Sequence, residues 1–397
     1  MFMGATKTRV VVTAAIAAMW LTACGGGGGG DDVAQAPSPA PAPAAGGGGG
    51  NPPAPAPAAP LGTSFTATNA PTDVWHSLSS STDGQVMVAG QADLRAGPAT
   101  SPLFVSRDGG VTFTESTAPS GIWIASDVSS DGNRIAAVQF QGAGMFMSVD
   151  RGQTFVPVTL PAGVAANAQF EGVTLSEDGT RVAAVVMNGP VIVGTVDAAG
   201  AVTWITPTGL PATATSWRSI DSSADGQTMV AVGQTPAAFI STNGGATWTS
   251  LTAAPVTQNW YRVKVSANGQ TIAMAGNSFG GSNAADGIYV SKDGGATFIQ
   301  AGVAGDYSGI AMSSDGGVIA ATVSNDNAGA GLGSVQLSRD GGTTFAPLPV
   351  TVGGVASTET QWRSVTMSGD ASRMAVAAGR FDLNNEGQIL LTTGSRP

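Results

Sequence analysis

Reactive side chains are scarce in this chain. Of its 397 residues, one is cysteine, one is histidine and 11% are charged. A single cysteine, Cys24, excludes an internal disulfide and any multi-thiolate metal site. A single histidine, His76, excludes multi-histidine metal centres and leaves one candidate base for a Ser-His-Asp triad. No phosphate-cradling glycine loop of the P-loop type is present. Lysine and glutamate are few, whereas Gly, Ala, Ser, Thr and Val dominate. That balance disfavours long helices and suits an all-β fold with many turns. Nothing in the composition asks for a cofactor.

The N-terminus reads as a targeting segment. Lys7 and Arg9 precede an apolar run over residues 10–21, the length of a signal-peptide core and too short to span a bilayer. Leu21-Thr22-Ala23-Cys24 follows. This resembles the bacterial lipobox, whose cysteine is diacylated and becomes the mature N-terminus. The resemblance implies a signal peptide over residues 1–23, lipidation at Cys24 and a lipid-anchored place in the bacterial cell envelope. Gly25 stands where an aspartate retains enterobacterial lipoproteins in the inner membrane, so the analogy favours the outer membrane. Removal of Lys7 and Arg9 takes the 16 basic residues to 14, against 26 acidic ones. Such an excess argues against nucleic acid and anionic headgroups as partners of the bulk surface.

Residues 24–60 carry two glycine runs and two Pro/Ala-rich stretches. They cannot bury a core, and are expected to form a disordered spacer.

Beyond residue 60 the chain repeats itself. An aromatic residue followed six places later by Ser-x-Asp-Gly occurs at Trp75, Trp123, Phe170, Trp217, Trp260, Tyr307 and Trp362. Asn268 replaces the aspartate once, and Ala371 replaces the glycine once. The copies are 43 to 55 residues apart, the spacing of four-stranded propeller blades. A second repeat, Ser-x-Asp-x-Gly-x-Thr-aromatic, begins at Ser106, Ser148, Ser291 and Ser338. Ser241 begins a copy with Asn243 in the aspartate place, and a stretched copy runs from Thr195 through Asp197 to Trp204. This second motif resembles the Asp-box, or bacterial neuraminidase repeat, of sialidase-like and photosystem II assembly factor-like propellers. Its physics is local: the carboxylate accepts backbone N–H groups in a tight turn, and the aromatic opens the next strand. One identical turn per blade is a structural device rather than a row of catalytic acids.

The residues therefore predict a seven-bladed β-propeller over residues 61–397. Seven aromatic motifs against six boxes are reconciled by ring closure. Residues 62–65 read like the strand that follows a box, so the N-terminal strand completes the last blade and protects its edge. The segment from Asp382 to Gly387 resembles half a calcium loop, but Thr393 stands at the twelfth place, where an acid is required. It reads as a hairpin turn.

The residue after each inner-strand aromatic should fall at one mouth of the central channel. There it gathers His76, Ile124, Glu171, Arg218, Tyr261, Ser308 and Arg363, with Arg262 beside Tyr261. Candidate ligand-binding residues are thus His76, Glu171, Arg218, Tyr261, Arg262 and Arg363. Two readings of the arginines stand open. They form a positive patch for a carboxylate or acidic peptide, or they pair with Asp221, Glu171 and other local acids. Long connections near residues 91–101, 277–286, 324–333 and 379–386 should wall one side of this mouth.

The resemblance also raises sialidase chemistry. The Phe/Tyr-Arg-Ile-Pro motif is missing, however, and sialidases have six blades. Xyloglucan-cleaving Asp-box enzymes place their acids between two propellers, and this sequence holds one. The sequence reading is a monomeric, non-catalytic binding or assembly module whose top face takes a protein or glycan. A glycan-active hydrolase and a surface scaffold without a dedicated ligand are the alternatives. The anchor has a direct test: Cys24→Ala should abolish incorporation of labelled fatty acid and release the protein from the membrane fraction. A Cys24→Ala chain that remains acylated and membrane-bound contradicts the lipobox reading.

Overall fold

The computed structural model describes residues 60–395 apart from residues 93–100, 143, 166, 212–214, 235–236, 256–257, 278–286, 324–332 and 381–384. Cys24, the spacer and most of the four long connections lie outside the described residues.

Seven four-stranded antiparallel blades form the fold. Their inner strands are Trp75–Ser80, Trp123–Val128, Phe170–Leu175, Thr215–Ser222, Trp260–Val265, Tyr307–Met312 and Trp362–Met367. Each inner strand contacts the next, and the last contacts the first, so the ring is closed. Seven apolar clusters fill the seven interfaces between blades. The second strands explain why these strands lack a polar face. In Met87–Gln91 of blade 1, Val88 packs toward blade 2, while Met87 and Ala89 pack toward blade 7. Both faces of a strand are then buried, and alternation gives way to an apolar run. The inner-strand tryptophans are buried and meet third-strand aromatics edge to face, as Trp75 does Phe104 at 5.4 Å and Trp260 does Tyr289 at 5.3 Å.

Both repeats are turns held by their own side chains. In the first, the serine hydroxyl donates to the aspartate two residues on, which also accepts a backbone N–H; Ser129, Asp131 and Asn133 are one instance. The turn needs a left-handed residue after the aspartate. Gly132 takes φ 73°, and a Cβ there would lie 2.5 Å from a Val86 methyl. Ala371, the one departure, is held at φ 55°, a conformation L-residues resist. In the Asp-box, Asp293 accepts the amide and hydroxyl of Thr297 and the hydroxyl of Ser291. These bonds, with Thr297 foremost, pull its pKa down to about 2.

The first turns are linked across blades. The residue between Ser and Asp donates its N–H to the carbonyl of its counterpart in the next blade. The sequence runs Thr82 to Ser130, Glu177, Ala224, Ala267, Ser314, Gly369 and back to Thr82, at 2.7 to 3.3 Å. A closed circle of seven main-chain bonds thus encircles one mouth of the channel, here called the lower mouth.

Ring closure occurs as the repeats require. Thr66–Ala67 pairs with Asn385–Thr393 as the outer strand of the seventh blade. The segment before it is clamped: the Leu61 amide donates to the Ser395 carbonyl, and Arg339 donates to the Leu61 carbonyl. Phe65 donates to Thr351 of a small hairpin, Thr351–Val352 with Val355–Ala356, that the repeats do not encode. Asn385–Thr393 is a continuous strand, so a calcium loop ending at Thr393 is excluded. Leu61 and Phe65 are fully buried. Deleting residues 61–66 should lower the melting temperature by about 10 °C or more, while deleting residues 31–58 should leave it unchanged. Thermal unfolding of the two deletions checks this, and equal melting temperatures would contradict the closure.

Candidate functional site

The mouth opposite the turn circle is shaped by a bulge repeated in every blade. In each inner strand the register shifts at the residue after the aromatic: His76, Ile124, Glu171, Arg218, Tyr261, Ser308 and Arg363. A bulge residue has no partner across the ladder and re-aims its side chain. The ring inferred from sequence is therefore physically distinct, because seven irregular positions occur at one level.

These residues do not all face the channel. His76, Ile124 and Glu171 line it, joined by Arg262 from the next position. Tyr261, Ser308 and Arg363 are buried behind them. Arg363 links the set, donating to His76 Nε2 at 3.1 Å and to the Tyr261 hydroxyl at 2.9 Å. A guanidinium only donates, so His76 Nε2 accepts and Nδ1 carries the proton toward the Ile124 carbonyl at 3.1 Å. Burial, then Arg363 and Arg262, hold the His76 pKa well below its usual value. With both ring nitrogens engaged, His76 is a neutral spacer between blades and is not placed to activate a serine. Arg262 lies over the Tyr261 ring, 3.9 Å from its centroid, and donates to the Tyr261 carbonyl.

Of the two readings of the arginines, ion pairing is seen at Arg218. Arg218 pairs with Glu171 at 2.9 Å. Asp221, which the sequence offered as an arginine partner, pairs instead with Lys264 at 2.8 Å. Among the described residues, Arg262 has no carboxylate within ion-pair distance.

Deeper in the channel lies a second polar level that the sequence reading did not identify. Four residues after the aromatic stand Asp127, Thr174, Asp221 and Lys264 of blades 2 to 5, all lining the channel. The signal was present in sequence, as polar residues at a fixed offset inside apolar strands. Each carboxylate accepts the backbone amide of the neighbouring inner strand, Leu175 for Asp127 and Val265 for Asp221, both at 2.7 Å. Burial raises the Asp127 pKa, opposed by Lys264. Burial also pushes Asp221 up to about 6, with Lys264 opposing and Asp127 adding to the rise. The Lys264 ammonium is disfavoured by burial, but Asp221 and Asp127 outweigh this and raise its pKa. The channel cavity measures about 210 Å³ and runs between the two mouths.

No family model matches the chain, and no curated protein does. Among solved structures, the fold is similar to a GH74 enzyme from Niastella koreensis, with a TM-score of 0.60 and 15% identity over 82% of this chain. The chain spans about half of that structure, 55% of its length. It is also similar to the β-propeller domain of Cps50 (Swd1) from Myceliophteria thermophila, with a TM-score of 0.57 and 11% identity over 81% of this chain and 97% of that one. At these identities the likeness shows the propeller fold alone.

Asp221 gives this level a measurable signature. The folded protein holds that proton up to about pH 6, whereas the unfolded chain releases it near the ordinary 3.8. The contribution to stability is therefore full below pH 3.8 and lost as pH rises through 6. Relative to wild type, Asp221→Asn should gain on the order of 1 kcal/mol of unfolding free energy between pH 4 and pH 7. Urea unfolding at the two pH values measures this, and a pH-independent difference would contradict the burial of an ionised Asp221.

Proposed function

We propose that this protein is a non-catalytic binding module of the bacterial envelope, lipid-anchored at Cys24, that takes an anionic ligand group at the upper mouth. One observation carries the reading: Arg262 faces the channel as a guanidinium with no carboxylate partner among the described residues, beside Arg363 and the Arg218–Glu171 pair. In a strongly acidic protein, a desolvated cation at a cavity mouth favours a carboxylate or another anion on a protein or glycan. The Gly/Pro/Ala-rich composition of residues 24–60 would suit a spacer between the module and an outer-membrane lipid anchor, for capture at a distance from the bilayer. The module acts as a monomer, uses no cofactor and does not bind nucleic acid.

A glycan-active hydrolase is the second reading, favoured by the Asp-box turns and by the likeness to the GH74 fold. It would need two carboxyl groups facing one bond. The described mouth offers Glu171, already engaged by Arg218, while Asp127 and Asp221 lie deeper and hold neighbouring strands together.

Arg262→Gln is the cleaner test than truncating all three arginines, because Arg218 and Arg363 bridge blades. The variant should keep its melting temperature within a few degrees and lose about tenfold or more in affinity for acidic oligosaccharides or peptides captured by the wild type. Calorimetric titration reads the loss. Unchanged affinity would remove the mouth from the binding site, and turnover of fluorogenic glycosides by the purified protein would replace this reading with the hydrolase.

A further inference from the structure

The pair Asn-Gly occurs three times in the chain, at residues 188–189, 243–244 and 268–269. An asparagine before glycine is prone to cyclise. Its side-chain carbonyl carbon can close a five-membered ring on the next main-chain nitrogen, and glycine has no side chain to shield that nitrogen. The reaction needs a side chain free to turn and a main-chain amide that can be released. The fold treats the three pairs differently.

Asn243 and Asn268 stand in the aspartate places of the two repeated turns, and both are held. Asn243 Oδ1 accepts the Ser241 hydroxyl and the Thr247 amide, each at 2.9 Å, and its Nδ2 donates to the Thr247 hydroxyl at 2.8 Å. Asn268 Oδ1 accepts the Ser266 hydroxyl at 2.8 Å and the Gln270 amide at 3.0 Å. The amides that would attack are engaged as well. Gly244 donates to the Gln227 carbonyl at 2.9 Å and Gly269 to the Ser266 carbonyl at 2.8 Å. Both glycines are buried. Amide bonds of the second kind also hold Gly84, Gly132, Gly179 and Gly226 behind their aspartates.

Asn188 lies outside both repeats. It tops the hairpin between Arg181–Gly189 and Val191–Val196, at the upper face of blade 3. It is exposed and takes φ 56°, a left-handed conformation that asparagine tolerates in turns. Among the described residues its side chain makes no hydrogen bond. The ladder to blade 4 shifts register at this residue, between the pairs Met187–Ser216 and Gly189–Thr215. Gly189 ends its strand and Thr215 begins the other, so their pair is the last rung. Terminal rungs open most readily, and Gly189 is only half-buried.

We propose that Asn188 is a site of spontaneous deamidation, singled out by the fold from the three Asn-Gly pairs, and that the reaction alters the seam between blades 3 and 4. The Gly189 nitrogen attacks the Asn188 side-chain carbonyl carbon. The new N–C bond forms, the bond to Nδ2 breaks, and ammonia leaves with the Gly189 amide proton. Water then opens the succinimide. Opening at the side-chain carbonyl gives aspartate. Opening at the main-chain carbonyl gives isoaspartate, whose backbone runs through Cβ and is one methylene longer. That extra methylene falls between the two rungs that tie blade 3 to blade 4. Either product also brings a carboxylate beside a cavity of about 500 Å³. Met187, Gly189 and Pro190 line that cavity with Gln141, Asn167 and Gln169, and no charged side chain does.

The test ages the intact protein at mildly alkaline pH and follows the three pairs by peptide mapping and mass spectrometry. Residue 188 should gain the mass of deamidation about tenfold or more faster than residues 243 and 268, which react only after their turns open. In urea the three should react at similar rates, because the difference belongs to the fold. Asn188→Gln should abolish the fast product, since a glutamine would have to close a larger ring. Gln141 already holds φ 56° in this protein, so the backbone tolerates that residue type. The isoaspartyl fraction should melt about 1–2 °C below unaged protein. Equal rates at the three pairs in the folded protein, or an intact Asn188, would overturn the proposal. An unchanged melting temperature of the isoaspartyl fraction would overturn the effect on the seam. Should Asn188→Gln not fold, the folded and urea series of the wild type decide.

Discussion

The closed circle of main-chain hydrogen bonds at the lower mouth is the constraint on which the rest depends. Each of its seven bonds contributes about 0.5–1.5 kcal/mol. Their larger effect is geometric. They hold the seven Ser-x-Asp turns in one plane, and each turn fixes where its blade's inner strand ends. An inner strand of about six residues then places its beginning at the upper mouth with little freedom. The circle closes where the inner strand of blade 7 stands beside that of blade 1, and at the other edge of blade 7 Thr66–Ala67 fills the outer place beside Asn385–Thr393. Turn closure joins the blades at the channel, and strand closure completes the last blade at its rim.

That division explains why one end of the molecule repeats and the other does not. The lower mouth is main chain and turn, so Ser81, Asp83 and their counterparts recur almost unchanged. The upper mouth is bulge, and a bulge residue owes nothing to the ladder. His76, Glu171, Arg218, Tyr261 and Arg363 therefore differ without cost to the fold, and their side chains became the links between blades, through Arg363 to His76 and Tyr261 and through Arg218 to Glu171. The second channel level is intermediate. Asp127 and Asp221 cap neighbouring strands, yet they bring charge into the channel.

The repeat period, the blade number, the strand order and the closing strand were legible in the sequence, because aromatic spacing and turn chemistry are local signals. The ring of residues after the aromatics was legible too, as variation set against repetition. Their division into channel-facing and buried members was not. Ser308 reads as polar and open, but its hydroxyl bonds to the Trp362 carbonyl and to Thr322. Whether a bulge residue turns inward or back between blades depends on the neighbouring blade, which a single repeat does not encode. The hairpin at Thr351–Ala356 and the pairing of Met187 with Ser216, which ties blade 3 to blade 4, escaped for a similar reason. Both lie in connections that occur once. Lys264 and its two carboxylates were missed because they sit singly on three strands and meet only when the ring is closed.

Native-state hydrogen exchange at the seven turn amides tests the central claim most directly. The amides of Thr82, Ser130, Glu177, Ala224, Ala267, Ser314 and Gly369 lie in turns, where amides ordinarily exchange by local opening. If the circle governs the fold, all seven exchange at one slow rate, that of global unfolding, and rise together with denaturant. Fast or dissimilar exchange among them, with protected second strands, would show that the blades hold the ring without the circle and would contradict the account.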